Sequence, residues 1–162
     1  MWGDNHMRKN RAVRAAATAL LGLGSLGAFA GTAHAEPIDY VKIELFELHC
    51  QQNSEGDHDE AYLKITDANG NAVKVWPGNG IKYQTMGSGY VRSMADGNGN
   101  AALILGKEQA RTLTLWDYDS TSGDDKLGAT LVTGSEVGAE TQWRSVEGSG
   151  GVYVIGYRVV DI

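Results

Sequence analysis

Trp116-Asp117-Tyr118-Asp119-Ser120-Thr121-Ser122-Gly123-Asp124-Asp125-Lys126-Leu127-Gly128 is the stretch on which the reading of this chain turns. Asp117, Asp119, Asp124 and Asp125 crowd into it directly after Arg111–Trp116, whose alternation of apolar and polar residues reads as a strand. Anions packed this closely repel one another unless they spread apart, take up protons or share a cation. Oxygen ligands at Asp117, Asp119 and Asp125 suit Ca²⁺, which accepts six to eight oxygens in flexible geometry. An EF-hand fits less well, because Ser122 stands where that loop needs glycine and Gly128 where it needs a bidentate glutamate. A solvated acidic turn is the plain alternative.

Outward from this loop the chain is punctuated at short intervals. Tyr40–Cys50, Ala61–Thr66, Ala72–Trp76, Ile81–Met86 and Tyr90–Met94 read as strands, as do Ala101–Leu105, Arg111–Trp116, Ala129–Thr133, Gln142–Val146 and Val152–Val160. Gly106–Ala110 reads as a short helical turn. Within the first strand Val41, Ile43 and Leu45 keep one phase and Phe46, Leu48 and Cys50 the other, the mark of a β-bulge. Asn69-Gly70 signals a tight hairpin. Turns recurring about every 8–12 residues with little helical periodicity indicate an all-β sandwich or barrel.

The first 35 residues have a different character. Arg8, Lys9, Arg11 and Arg14 precede the small, apolar run 15–30, and Ala33-His34-Ala35 forms a small-residue cleavage site. This predicts a secretory signal peptide over 1–35, a single domain over 36–162 and an extracellular protein. No Arg-Arg pair precedes the run, which points to Sec-type export. The 162-residue chain carries a formal charge of −6; without the four basic residues and one acid of the signal, 10 Lys and Arg face 19 Asp and Glu, a charge of −9. That balance argues against nucleic acid and against simple attraction to anionic lipid. Cys50 is the single cysteine, so no intramolecular disulfide can brace the domain.

The spacing of Asp117, Asp119, Ser122, Asp125 and Gly128 resembles the third calcium loop of C2 domains, with Tyr118 as the aromatic between the first two aspartates. Asp59-Glu60-Ala61-Tyr62-Leu63-Lys64-Ile65 is similar to the family's D-P-Y-V-K-V segment, and Gln142–Val146 to its W-x-x-L segment. The resemblance spans roughly 41–160. It implies an eight-stranded antiparallel C2-like β-sandwich, in an order that looks like the circularly permuted form. It also implies Ca²⁺ held by Asp117, Asp119 and Asp125, the Tyr118 carbonyl, and first-loop acids Glu60 and Asp59. Ser122 would make an outer contact. Ser54 falls where the family has an earlier aspartate, leaving Glu55 or Asp57 to substitute. The basic strand and apolar loop tips of membrane-binding members are missing.

No G-x-S-x-G, H-E-x-x-H or phosphate loop follows residue 35, and His49 and Cys50 point to opposite faces of a strand. Cys50 reads as a buried thiol. The leading expectation is a secreted, monomeric, non-enzymatic Ca²⁺-binding module whose ion reaches an anionic lipid, a cell-wall polymer or a protein carboxylate. The alternative is a structural ion on a domain that binds protein or carbohydrate through surface aromatics, with Trp76, Tyr83 and Tyr90 as candidates. A small secreted hydrolase or inhibitor is the third.

Overall fold

The computed structural model describes residues 38–148 and 151–162; the expected signal segment, 1–35, lies outside them. The described residues form ten strands: β1 (Tyr40–Gln52), β2 (Asp59–Thr66), β3 (Ala72–Trp76), β4 (Gln84–Met86), β5 (Val91–Ser93), β6 (Ile104–Gly106), β7 (Ala110–Asp117), β8 (Asp125–Thr133), β9 (Gln142–Val146) and β10 (Val152–Asp161). They form two antiparallel sheets, ordered β5-β1-β10-β9 with β6 also on β1, and β3-β2-β7-β8 with β4 also on β2. Among the described residues no helix is long and apolar enough to cross a membrane.

Ten strands nevertheless occupy eight lanes. On the edge of β1 away from β10, β5 pairs at Glu47–His49 and β6 at Tyr40–Lys42. On the edge of β2 away from β7, β4 pairs at Asp59–Ala61 and β3 at Leu63–Thr66. Each long strand thus accepts two short partners end to end, and the expected eight-stranded width is kept with a higher strand count.

Local chemistry accounts for the boundaries. The β1 register against β10 slips between Leu45 and Glu47, which places the bulge at Phe46, where the apolar phase changes. The β2–β3 hairpin closes with Gly70 at φ 83° and the Asp67 carboxylate accepting the N–H groups of Asn69 and Asn71, each at 2.8 Å. Residues Ala101–Leu103 form a 3-10 turn instead of the expected strand, because the Asn100 side chain accepts the Ala102 N–H at 2.9 Å. The expected helical turn over 106–110 is a tight turn closed by Gln109 N–H to Gly106 O at 2.8 Å.

Val41, Ile43, Leu45, Leu63, Ile65, Leu113, Leu115, Ile155 and Tyr157 meet between the sheets, all buried. Trp76, a candidate surface aromatic from the sequence, is fully buried and donates Nε1–H to the Ser93 carbonyl at 3.1 Å. Gly97 permits this: a Cβ there would meet the Val75 carbonyl and the Trp76 side chain. Cys50 is buried, as expected of an inert thiol.

Candidate metal centre

Two core-facing rows end in carboxylates. On β7, Arg111, Leu113, Leu115 and Asp117 share the buried phase; on β2, Asp59, Ala61, Leu63 and Ile65 do. Alternation with a period of two therefore carries Asp117 and Asp59 inward at one end of the second sheet. They are buried for the same reason as the leucines before them.

The two carboxylates are used differently. Asp59 accepts hydrogen bonds from the Ser54 N–H (2.9 Å), the Ser54 hydroxyl (2.9 Å), the Glu55 N–H (3.2 Å) and the Tyr153 hydroxyl. It folds the 53–58 loop over itself. Asn53 assists, donating to the carbonyls of Glu55 and Asp57 and accepting from the Ser88 hydroxyl at 2.7 Å. Asp117 has fewer donors: one oxygen accepts the Glu60 N–H at 2.6 Å.

The folded loop brings Glu55 to Glu60 and Asp117, with one carboxylate oxygen of each within 4.8 Å of the others. Burial pushes the Asp117 carboxyl up to about 6, partly opposed by the Glu60 N–H and reinforced by the charges of Asp59, Glu55 and Glu60. Glu55 is raised as well, by desolvation first and then by Asp59, Asp119, Glu60 and Asp125. Glu55, Asp117, Asp125 and Lys126 line one cavity of about 450 Å³. Among the described residues, none of these acids makes an ion pair within 4.0 Å, Lys126 included.

The remaining sequence candidates are placed as follows. Asp125 opens β8 directly opposite Asp117 in register. Asp119 is half-buried and accepts the hydroxyl of Ser122 and, at 3.5 Å, that of Thr121. Tyr118 donates its N–H to the Glu60 carbonyl at 2.9 Å and stacks on Tyr83 with ring centroids 5.3 Å apart. Asp57 lies outside the group, exposed and paired with His58 Nδ1 at 2.7 Å. Asp59 is committed to its hydrogen bonds. Glu55, which the resemblance offered only as a substitute, joins the cluster.

A basic surface that the sequence did not suggest lies beside the acidic one. Lys64 and Lys74 face each other across β2 and β3, and with Lys82 they surround Tyr62 and Tyr118 in a cavity of about 310 Å³. Lys64 Nζ sits 4.9 Å from the Trp116 ring and 5.1 Å from that of Tyr62, and Lys82 Nζ lies 5.4 Å from that of Tyr118. The three lysines come from separate segments, so no basic run announces them. The one signal was alternation, which puts Tyr62 and Lys64 on the same face of β2.

No family model matches the sequence, and no curated protein does. Solved structures do. Extended-Synaptotagmin 2, in a structure of its two C2 domains, aligns at a TM-score of 0.51 and 17% identity, covering 89% of this chain and 48% of that one. The fold is C2-like. A C2 domain of plant Extended Synaptotagmin 1 aligns at a TM-score of 0.46 and 9% identity, over 79% of this chain and 98% of that one. A calcium-bound structure of Extended-Synaptotagmin 2 aligns at 0.46 and 15% identity, over 76% and 45%. The C2-like chain therefore spans about half the length of the first of these.

The donor set fits a calcium ion by its own geometry. Oxygens bound to one Ca²⁺ at 2.3–2.6 Å lie at most about 5 Å apart. The separations among Glu55, Glu60 and Asp117 satisfy this limit. Hard carboxylates with no nitrogen or sulfur donor favour Ca²⁺ or Mg²⁺ over zinc.

Proposed function

We propose that this is an exported C2-like module that binds Ca²⁺ and uses it to engage an anionic partner. Asp117, Glu55 and Glu60 would hold the ion, joined by Asp125 and, from the half-buried start of the same loop, by Asp119 and the Tyr118 carbonyl. The carrying observation is Asp117: a buried carboxylate within 4.8 Å of two other carboxylates, with no ion-paired cation among the described residues. A cation supplies the charge compensation that the fold otherwise lacks there.

The partner reading follows from charge. A calcium ion with open coordination positions attracts phosphate or carboxylate oxygens, and neutralising the acidic end removes the repulsion that keeps a −9 domain from an anionic surface. Contact should stay superficial, because the exposed tip of the loop is Ser120-Thr121-Ser122-Gly123, with no apolar wedge. Sedimentation with phosphatidylserine vesicles tests this. The protein is expected to pellet in Ca²⁺ and to stay in the supernatant in EGTA, without deep quenching of Trp116 by bilayer-embedded quenchers. Equal partition in both buffers would overturn the calcium-dependent reading.

A further inference from the structure

The outer face of the first sheet holds an aromatic platform that plays no part in the metal centre. Trp143 on β9 is 50% exposed, although it sits in the body of a strand. Its register partner on β10 is Gly156, flanked by the inward-facing Ile155 and Tyr157, so position 156 points outward. A Cβ there would lie 2.7, 2.8 and 3.1 Å from three atoms of the Trp143 six-membered ring. Comparable distances to three ring atoms mean that the indole lies flat over the glycine. One face rests on the backbone, and half of the residue's surface stays open to solvent.

The ring is held from the side and bracketed by polar groups. His49 on β1 packs edge-on, its centroid 4.8 Å away at 63°, and its Nε2 pairs with Glu47 at 2.9 Å. On the next row Arg158 pairs with Glu44 through Nε at 2.8 Å and Nη2 at 2.7 Å. Trp143 and Arg158, with Glu140 and Thr141, border a shallow cavity of about 660 Å³.

We propose that this platform binds a saccharide, one sugar ring stacking on the free face of Trp143 while its hydroxyls bond to Glu47, His49, Arg158 and Thr141. The negative face of the indole attracts the polarised C–H groups that line one side of a pyranose. Hydroxyls can bond to the flanking charges without stripping them of polar partners. An apolar protein surface would have to desolvate the Arg158–Glu44 ion pair and the His49–Glu47 hydrogen bond, which is costly. A flat ring with exposed ends suits an extended chain of neutral sugars, since added carboxylates would meet Glu44, Glu47 and Glu140.

The test is calorimetric titration of the full chain with cellohexaose, xylohexaose, chitohexaose and laminarihexaose, each in Ca²⁺ and in EGTA. At least one should bind with the same affinity in both buffers, which separates this proposal from the metal reading. Trp143→Ala should weaken that binding by roughly tenfold or more, and Trp143→Tyr should retain most of it. Circular dichroism melting confirms that the variants fold. Failure of all four sugars to bind overturns the proposal, as does binding that Trp143→Ala leaves unchanged. Self-association in sedimentation velocity that Trp143→Ala abolishes, without sugar binding, would assign the platform to a second copy and overturn it equally.

Discussion

One oxygen of Asp117 accepts the backbone N–H of Glu60 at 2.6 Å, while the carbonyl of the same Glu60 accepts the N–H of Tyr118 at 2.9 Å. These two bonds extend the β2–β7 pairing past the end of the ladder, in which Ala61 lies opposite Asp117. The first and third acidic loops are thereby joined at fixed spacing. The side chains of Glu60 and Asp117 are brought close by backbone geometry, and their mutual repulsion is a consequence of the fold.

Asp117→Asn should therefore raise the melting temperature in EGTA. Asparagine keeps an oxygen to accept the Glu60 N–H and removes the buried charge, a relief on the order of 1–3 kcal/mol. The same substitution should abolish most of the stabilisation by Ca²⁺. Differential scanning calorimetry in both buffers checks the two signs together; a merely disruptive change would lower stability in both.

The pH dependence follows from the same carboxyl. Its folded-state value near 6 lies above the roughly 3.9 of an unfolded aspartate. Between those values the native state holds the extra proton, so stability in EGTA should fall as pH rises from about 4 through about 6. Saturating Ca²⁺ should offset this loss, because the ion takes over the compensation that the proton gave. Melting curves of wild type and Asp117→Asn from about pH 4.5 to about 7.5 check it: the contribution of Asp117 should vanish in the variant.

Asp59 should behave in the opposite way. Its carboxylate satisfies two backbone N–H groups and two hydroxyls, so Asp59→Ala leaves the buried Tyr153 hydroxyl unpaired and frees the loop that the other three donors tie down. A loss of roughly 2–4 kcal/mol is expected in EGTA. Tyr153→Phe removes one of those donors together with its bond and should cost only about 1 kcal/mol. Urea denaturation measures both. If Asp59→Ala stabilised the protein in EGTA, Asp59 would be one more repelling acid and not the anchor of the loop.

The alternation of Arg111–Trp116 and the turn chemistry of Asp67–Asn71 made the sandwich legible in the sequence, and the phase change at Phe46 located its bulge. The acidic loop was legible too. The partition of labour between neighbouring acids was not. Asp57, Asp59 and Glu60 look alike in the sequence, yet burial phase turns Asp59 inward to its hydrogen bonds and leaves Glu60 in the cluster with Glu55 and Asp117. Glu55 reaches the cluster only because Asp59 folds the loop. Trp76, expected at the surface, is instead buried, and Trp143, which was no surface candidate, is exposed. Gly97 makes room for the first in the core, and Gly156 seats the second flat on the surface. Such effects depend on what lies across the sheet, and no local pattern encodes that.

Glu55 separates metal binding from stability. It is exposed, so Glu55→Gln should leave the melting temperature in EGTA nearly unchanged. Loss of one charged ligand should weaken Ca²⁺ binding by roughly tenfold. Competition against a chromophoric calcium chelator measures the second effect and a melting curve the first. Equal affinity in wild type and Glu55→Gln would remove Glu55 from the ligand set.

Calorimetric titration of CaCl₂ into the wild-type protein bears most directly on the metal centre. Extracellular calcium modules bind with dissociation constants around 10⁻⁴–10⁻³ M, and that range is expected here. A free concentration ten times the dissociation constant then contributes about 1.4 kcal/mol to stability. Saturable heat in wild type, absent in Asp117→Asn, is the predicted result. No saturable heat, together with identical melting in Ca²⁺ and in EGTA, would contradict it and leave Glu55, Glu60 and Asp117 as an acidic cluster that holds no ion.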